Sequence, residues 1–161
     1  MRAKRRIGMM ISAALAMAAS GCGQVESMPE AVLYGSVDTG KWSETWPLQL
    51  TLPGDTVPAS AIGKDTDASL WIRYRTDAPR RVTLVISCES LYQEERTDTL
   101  RIALYGGNGR PTGKGSYGLY ETHVPIPNPP ALKNGLTFRI WPIGDGHGIT
   151  DAGITFNLDK K

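Results

Sequence analysis

Apolar residues recur at every second position in short bursts along this chain, and Gly, Pro, Asn or Asp stands between one burst and the next. Leu48, Leu50 and Leu52 alternate in one stretch, Leu70, Ile72 and Tyr74 in the next, and Val82, Leu84, Ile86 and Cys88 in a third. Leu100, Ile102 and Leu104 follow, then Tyr120, Thr122, Val124 and Ile126, then Leu136, Phe138 and Ile140, and last Ile154, Phe156 and Leu158. A weaker stretch runs from Val32 to Val37. A strand points successive side chains to opposite faces, so period two sets one apolar face on a core and turns the other outward. Seven or eight such stretches predict an all-β fold, a β-sandwich of antiparallel strands, rather than any α/β design.

Helices have little room beside them. Beyond residue 21 the chain carries 16 Gly and 11 Pro in 140 residues, and both are poor in helix interiors. Residues 90–98 (SLYQEERTD) read as one helical turn or, better, as the closing of a hairpin. The Pro125–Pro130 and Gly106–Gly115 passages are edges or connections, because Pro cannot donate to a central ladder.

The first residues obey another rule. Met1 to Arg6 is basic, and Ile7 to Ala19 is an apolar run of 13 residues without a polar face. That run is shorter than the roughly 20 residues a spanning helix needs. The pattern predicts a cleaved signal peptide over 1–21. Ala19, Ser20 and Gly21 are small and stand directly before Cys22, which looks like the processing site of bacterial lipoproteins. Small residues let extended backbone enter a peptidase cleft, and the Cys thiol is the nucleophile that takes a diacylglycerol. The alternative is ordinary secretion with Cys22 free or in a disulfide. Under lipidation, residues 22–31 are the anchored Cys and a tether, and 32–161 the sandwich domain. Each buried methylene contributes about 0.8 kcal/mol, and one acyl chain holds only marginally, so two or three chains predict a permanently membrane-bound protein. Gly23, where Asp favours inner-membrane retention, predicts an outer-membrane address.

Losing residues 1–21 removes four of the 18 basic residues and none of the 16 acidic ones, leaving a weakly acidic chain of 14 against 16. Such a domain has no electrostatic reason to bind nucleic acid. If the Cys22 sulfur is a thioether, Cys88 has no partner and is expected to serve as a small buried hydrophobe.

Chemistry-bearing motifs are sparse. His123 stands beside Glu121 in a strand, and His147 lies in a Gly-flanked loop with Asp145 and Asp151 nearby, either a general base or an ordinary turn. Asp65 and Asp67 form a DxD fragment without the further oxygen ligands a calcium loop requires. The GGNGRPTGKG loop is rich in Gly, but a strand-like segment follows it, not the helix N-terminus a phosphate cradle uses. No cofactor, metal or catalytic residue is predicted. Trp71 and Trp141 each lie on the face opposite their strand's apolar set. Either both sheet faces are covered, or these residues mark an interaction surface.

Several residues together resemble one family. Trp42 precedes an alternating strand, Asp55-Thr56 follow it, and LWIRYRT ends in Arg75; Asp98-Thr99-Leu100, the GNGRPTGKG loop and a terminal GITDAGITFNL come next in order. With the signal, this set resembles the gliding-motility-associated lipoproteins of the Bacteroidetes, the GldH type. The resemblance implies a lipid-anchored sandwich associated with gliding motility and type IX secretion-linked machinery, with envelope protein partners and no known catalytic residues. The expectation is therefore a non-catalytic accessory or scaffold lipoprotein. A carbohydrate-binding lipoprotein stacking sugars on Trp71 or Trp141 is the alternative, and hydrolysis at the His147 loop a third reading.

Overall fold

The computed structural model describes residues 31–38, 40–53, 62, 66–90, 93–132 and 135–157, the side chains at 93 and 94 aside. The signal peptide, Cys22, Asp55-Thr56 and Asp65 lie outside the described residues. Among the described residues, nine strands form two antiparallel sheets: β1 (Ala31–Ser36), β2 (Leu48–Thr51), β3 (Asp67–Arg75), β4 (Arg81–Ser90), β5 (Gln93–Ala103), β6 (Lys114–Ser116), β7 (Leu119–Pro125), β8 (Thr137–Ile143) and β9 (Ile149–Asn157). One sheet runs β1-β9-β3-β7-β6 and the other β2-β8-β4-β5. The all-β sandwich is as the alternation predicts, and no described residue is helical. The extra strand is β6, whose three residues are too few to show a period.

The inner faces are the alternating sets read from the sequence. Ala68, Leu70, Ile72 and Tyr74 of β3 and Ala152, Ile154 and Phe156 of β9 face Val82, Leu84, Ile86 and Cys88 of β4 and Phe138 and Ile140 of β8. Phe138 and Phe156 meet across the sheets with ring centroids 5.7 Å apart. Burying a side chain of this size contributes about 1.5–3 kcal/mol, so this layer carries most of the driving force. Cys88 is a free thiol 8% exposed within it, and burial pushes its pKa up to about 11 even though Arg96 pulls it down.

Polar anchors fix the ends. The Tyr74 hydroxyl is fully buried, donates to the Leu104 carbonyl (2.9 Å) and accepts from the Gly113 N–H (3.0 Å), which pins the loop between β5 and β6 to β3. Trp42, in the β1–β2 connection, donates from its indole to the Ile140 carbonyl at 2.8 Å and closes one end of the core. Of residues 90–98, the described ones lie in strands and not in a helical turn, for β4 pairs antiparallel with β5 as far as Ser90 and Gln93. β6 and β7 are joined by Tyr117 and Gly118, both at positive φ (54° and 79°), the signature of a type I′ turn.

Candidate functional site

The outward faces of the two sheets differ in kind. On the β1-β9-β3-β7-β6 sheet, Gly153 of β9 is the register partner of both Tyr34 on β1 and Trp71 on β3. A Cβ at Gly153 would stand 2.3 Å from the Leu33 carbonyl oxygen and 2.8 Å from Tyr34 Cβ, so only glycine fits. The two rings lean over this bare position and meet edge to face, with centroids 5.9 Å apart and planes at 69°. Glycine flanked by aromatics that cover it is a recurrent device for stabilising sheets.

Charge covers the remaining surface of Trp71. The Arg73 guanidinium lies 5.0 Å over its ring, within cation–π range. Arg73 also reaches Glu121 (3.4 Å) and Asp151 (3.9 Å), and Glu121 pairs with His123 at 3.2 Å. Partial burial pushes the Glu121 carboxyl up, but hydrogen bonds from Trp71, His123 and Arg73 outweigh it and hold the pKa below the ordinary carboxylate value. Trp71 is consequently only 8% exposed. Of the two possibilities the sequence leaves open, this face is covered, and its indole is not a bare platform for sugar stacking. Beside Trp71, Val32 (47% exposed) and Tyr34 (41%) are accessible apolar groups, and with Arg73, His123 and Thr155 they line an open depression of about 530 Å³.

On the β2-β8-β4-β5 sheet, Trp141 is half-buried and pairs in register with Val85. With Arg139, Gln49, Pro47, Glu44 and Glu95 it lines a groove of about 450 Å³. Arg139 donates to Glu89 at 3.0 Å, which holds the guanidinium along the groove wall. Both tryptophans thus lie on outward faces, but of different sheets, so they form no common site.

The third sequence candidate resolves into a turn. Asp145 accepts from the His147 N–H (2.9 Å) and lies 2.5 Å from its Nδ1. That hydrogen bond raises the imidazole pKa, and the His147 N–H does most to lower that of Asp145. Asp151, close in sequence, belongs elsewhere: it accepts from Ser36 Oγ (2.7 Å) and Thr150 Oγ1 (2.8 Å). Among the described residues, no hydroxyl or thiol is hydrogen-bonded to the His147 ring, and no three His, Cys, Asp or Glu are grouped to hold a metal ion. Asp67 opens β3 and is exposed. The Gly106–Gly115 loop leads into β6, without a helix. Sequence reasoning missed Tyr34 as the ring on Trp71 and Glu121 as its hydrogen-bond acceptor, because both come from other strands.

What the fold and its outward faces define is an all-β sandwich with one charge-clad aromatic face and one tryptophan-walled groove. No protein-family model matches the chain, and no curated protein matches it.

Proposed function

We propose that this chain is a lipid-anchored protein of the cell envelope whose sandwich is a non-catalytic binding unit, held at the outer membrane through Cys22. The observation that carries the reading is that accessible apolar surface falls on the strand beside the tether, besides the exposed Trp46, Tyr117 and Ile143 elsewhere. Val32 and Tyr34 lie on β1, the first strand after the tether, and Cys22 stands nine residues before Ala31. Extended chain reaches at most ~3.3–3.6 Å per residue, so this strand works within about 30 Å of the bilayer. Confinement to a plane raises its effective concentration beside other envelope proteins. The role as an accessory or scaffold subunit of gliding-motility or type IX secretion-linked machinery rests on the ordered motifs from Trp42 to the terminal GITDAGITFNL.

Cys22→Ala is expected to move the protein from the membrane to the soluble fraction, and mass spectrometry of the natural product is expected to find acyl chains on Cys22. An unmodified Cys22 ends the reading. Cross-linking in intact cells is expected to capture envelope proteins, and loss of the gene to impair surface movement or secretion in a gliding host.

A second reading has its own observation, the groove beside Trp141. A half-buried indole flanked by Arg139, Gln49 and two carboxylates has the aromatic wall and planar hydrogen-bonding groups that pyranose rings use. A polysaccharide that shifts tryptophan fluorescence in the wild type and not in Trp141→Ala would favour this reading. Trp71→Ala serves as the control, because its ring is already covered.

A further inference from the structure

A sandwich ends in sheet edges whose unpaired N–H and C=O groups template a further strand, and proteins blunt such edges with charge, Pro or brevity. Among the described residues, three of the four sheet edges are blunted. β2 has four residues and β6 has three. β5 carries Glu94, Glu95, Arg96, Asp98 and Arg101, and Thr112 Oγ1 occupies the Ala103 carbonyl at its end (2.7 Å). β1, AVLYGS, has neither charge nor Pro, and it turns Val32 and Tyr34 to solvent.

The phase of its backbone follows from one bond. The Val37 N–H donates to the Thr150 carbonyl at 2.9 Å, just beyond the Ser36–Asp151 pair that ends the β1–β9 register. Hydrogen-bonded and non-bonded pairs alternate along an antiparallel ladder, so the N–H and C=O groups of Val32, Tyr34 and Ser36 point away from β9. This set is its own complement. An antiparallel copy centred on Tyr34 sets Val32 opposite Ser36 and forms about six hydrogen bonds, two per bonded pair. On the inner face Leu33 then falls opposite Gly35, a large residue against none, and on the outer face the two Tyr34 rings meet. Centring on Leu33 instead forms about four bonds and sets leucine on leucine.

We propose that β1 pairs antiparallel with β1 of a second copy of this chain, centred on Tyr34, so that two five-stranded sheets become one of ten. The aromatic contact of Tyr34 with Trp71 then continues across the two-fold axis into the second copy. The edge chemistry stands by itself, whereas the gain from membrane confinement rests on the anchoring proposed above. The two Ala31 ends are about 20 Å apart at ~3.4 Å per residue, within reach of one bilayer for two nine-residue tethers.

The test uses the full chain in its membranes. Tyr34→Cys and, as control, Thr97→Cys on the exposed face of β5 are treated with a short bismaleimide; Cys88 is buried and gives little background. Tyr34→Cys is expected to yield an adduct of twice the chain's mass, Thr97→Cys none, and Val32→Lys in the Tyr34→Cys background is expected to abolish it with an unchanged melt. Without any substitution, differently tagged copies are expected to co-purify after solubilisation. Tagged copies that never associate, or a Tyr34→Cys adduct with a protein of another mass, overturn the pairing. Sedimentation of the untreated chain reads the anchor separately: in a soluble chain Cys22 is itself a reactive thiol, so there a Tyr34→Cys adduct that persists with Cys22→Ala removes the anchor and supports the pairing, and one lost with Cys22→Ala overturns it.

Discussion

Replacing Gly153 with alanine sets two effects of opposite sign against each other. At an unstrained extended position, Gly→Ala stabilises by about 0.4–1 kcal/mol, because the unfolded chain loses freedom. Gly153 has no positive φ to forbid a side chain, so backbone preference alone predicts a gain. Space decides otherwise. The new Cβ would stand 2.3 Å from the Leu33 carbonyl oxygen, 2.8 Å from Tyr34 Cβ and 3.0 Å from Tyr34 Cα. Two of these three are backbone atoms, so β1 must withdraw as a whole. Overpacking of this kind costs typically about 1–3 kcal/mol, which against that gain leaves a net loss of up to about 2.6 kcal/mol and about 1.3 kcal/mol at mid-range. For a domain of this size that is a fall of roughly 4–8 °C in melting temperature. Thermal melts of the purified chain by circular dichroism measure it, with near-ultraviolet signal reporting the displaced Tyr34–Trp71 contact. Gly107→Ala is the matched control, because nothing lies within 4 Å of its would-be Cβ. A Gly153→Ala protein as stable as the wild type, or more so, would refute the claim that this glycine is there for space.

Tyr74→Phe is expected to cost about 1–2 kcal/mol in denaturant titrations, since it strands a part-buried donor. The Leu104 carbonyl keeps the Thr112 N–H at 2.9 Å, so the loss falls on the Gly113 N–H and the loop it holds. His147, raised above its ordinary 6.5, stabilises the fold fully below that pH and progressively less as pH rises through its folded value. Asp145, lowered below 3.8, contributes above that pH and loses its contribution as pH falls through its folded value. The melting difference between wild type and His147→Gln should therefore be larger near about pH 5.5 than near about pH 8. The Cys88 thiol, pushed up to about 11 chiefly by burial, should resist maleimide in the native protein and react at once in denaturant. Rapid native labelling would place it outside the core.

The inner faces were readable because period two survives translation into structure: Leu70, Ile72 and Tyr74 alternate in the chain and are fully buried in β3. Which strands lie beside one another was not, because β3 sits between β9 and β7 by pairings that leave no local trace. The same gap governs the candidate site. His147 and Asp151 are four positions apart, yet one lies in a turn and the other on the outward face of β9, clamped to Ser36 and Arg73. Glu121 is remote from Trp71 in sequence and receives its indole N–H. Gly153 reads locally as a breaker, whereas in the sheet it is the floor under two rings. One signal was nonetheless local. Trp71 is out of phase with the apolar set of its own strand, and Arg73 follows two positions later on the same face, where its guanidinium lies over the ring. Trp141 is also out of phase, but the position two residues beyond it is Ile143, and its indole stays half-buried on a groove wall. The residue two positions on therefore separates a tryptophan sealed by its own strand from one left half-buried on a groove wall.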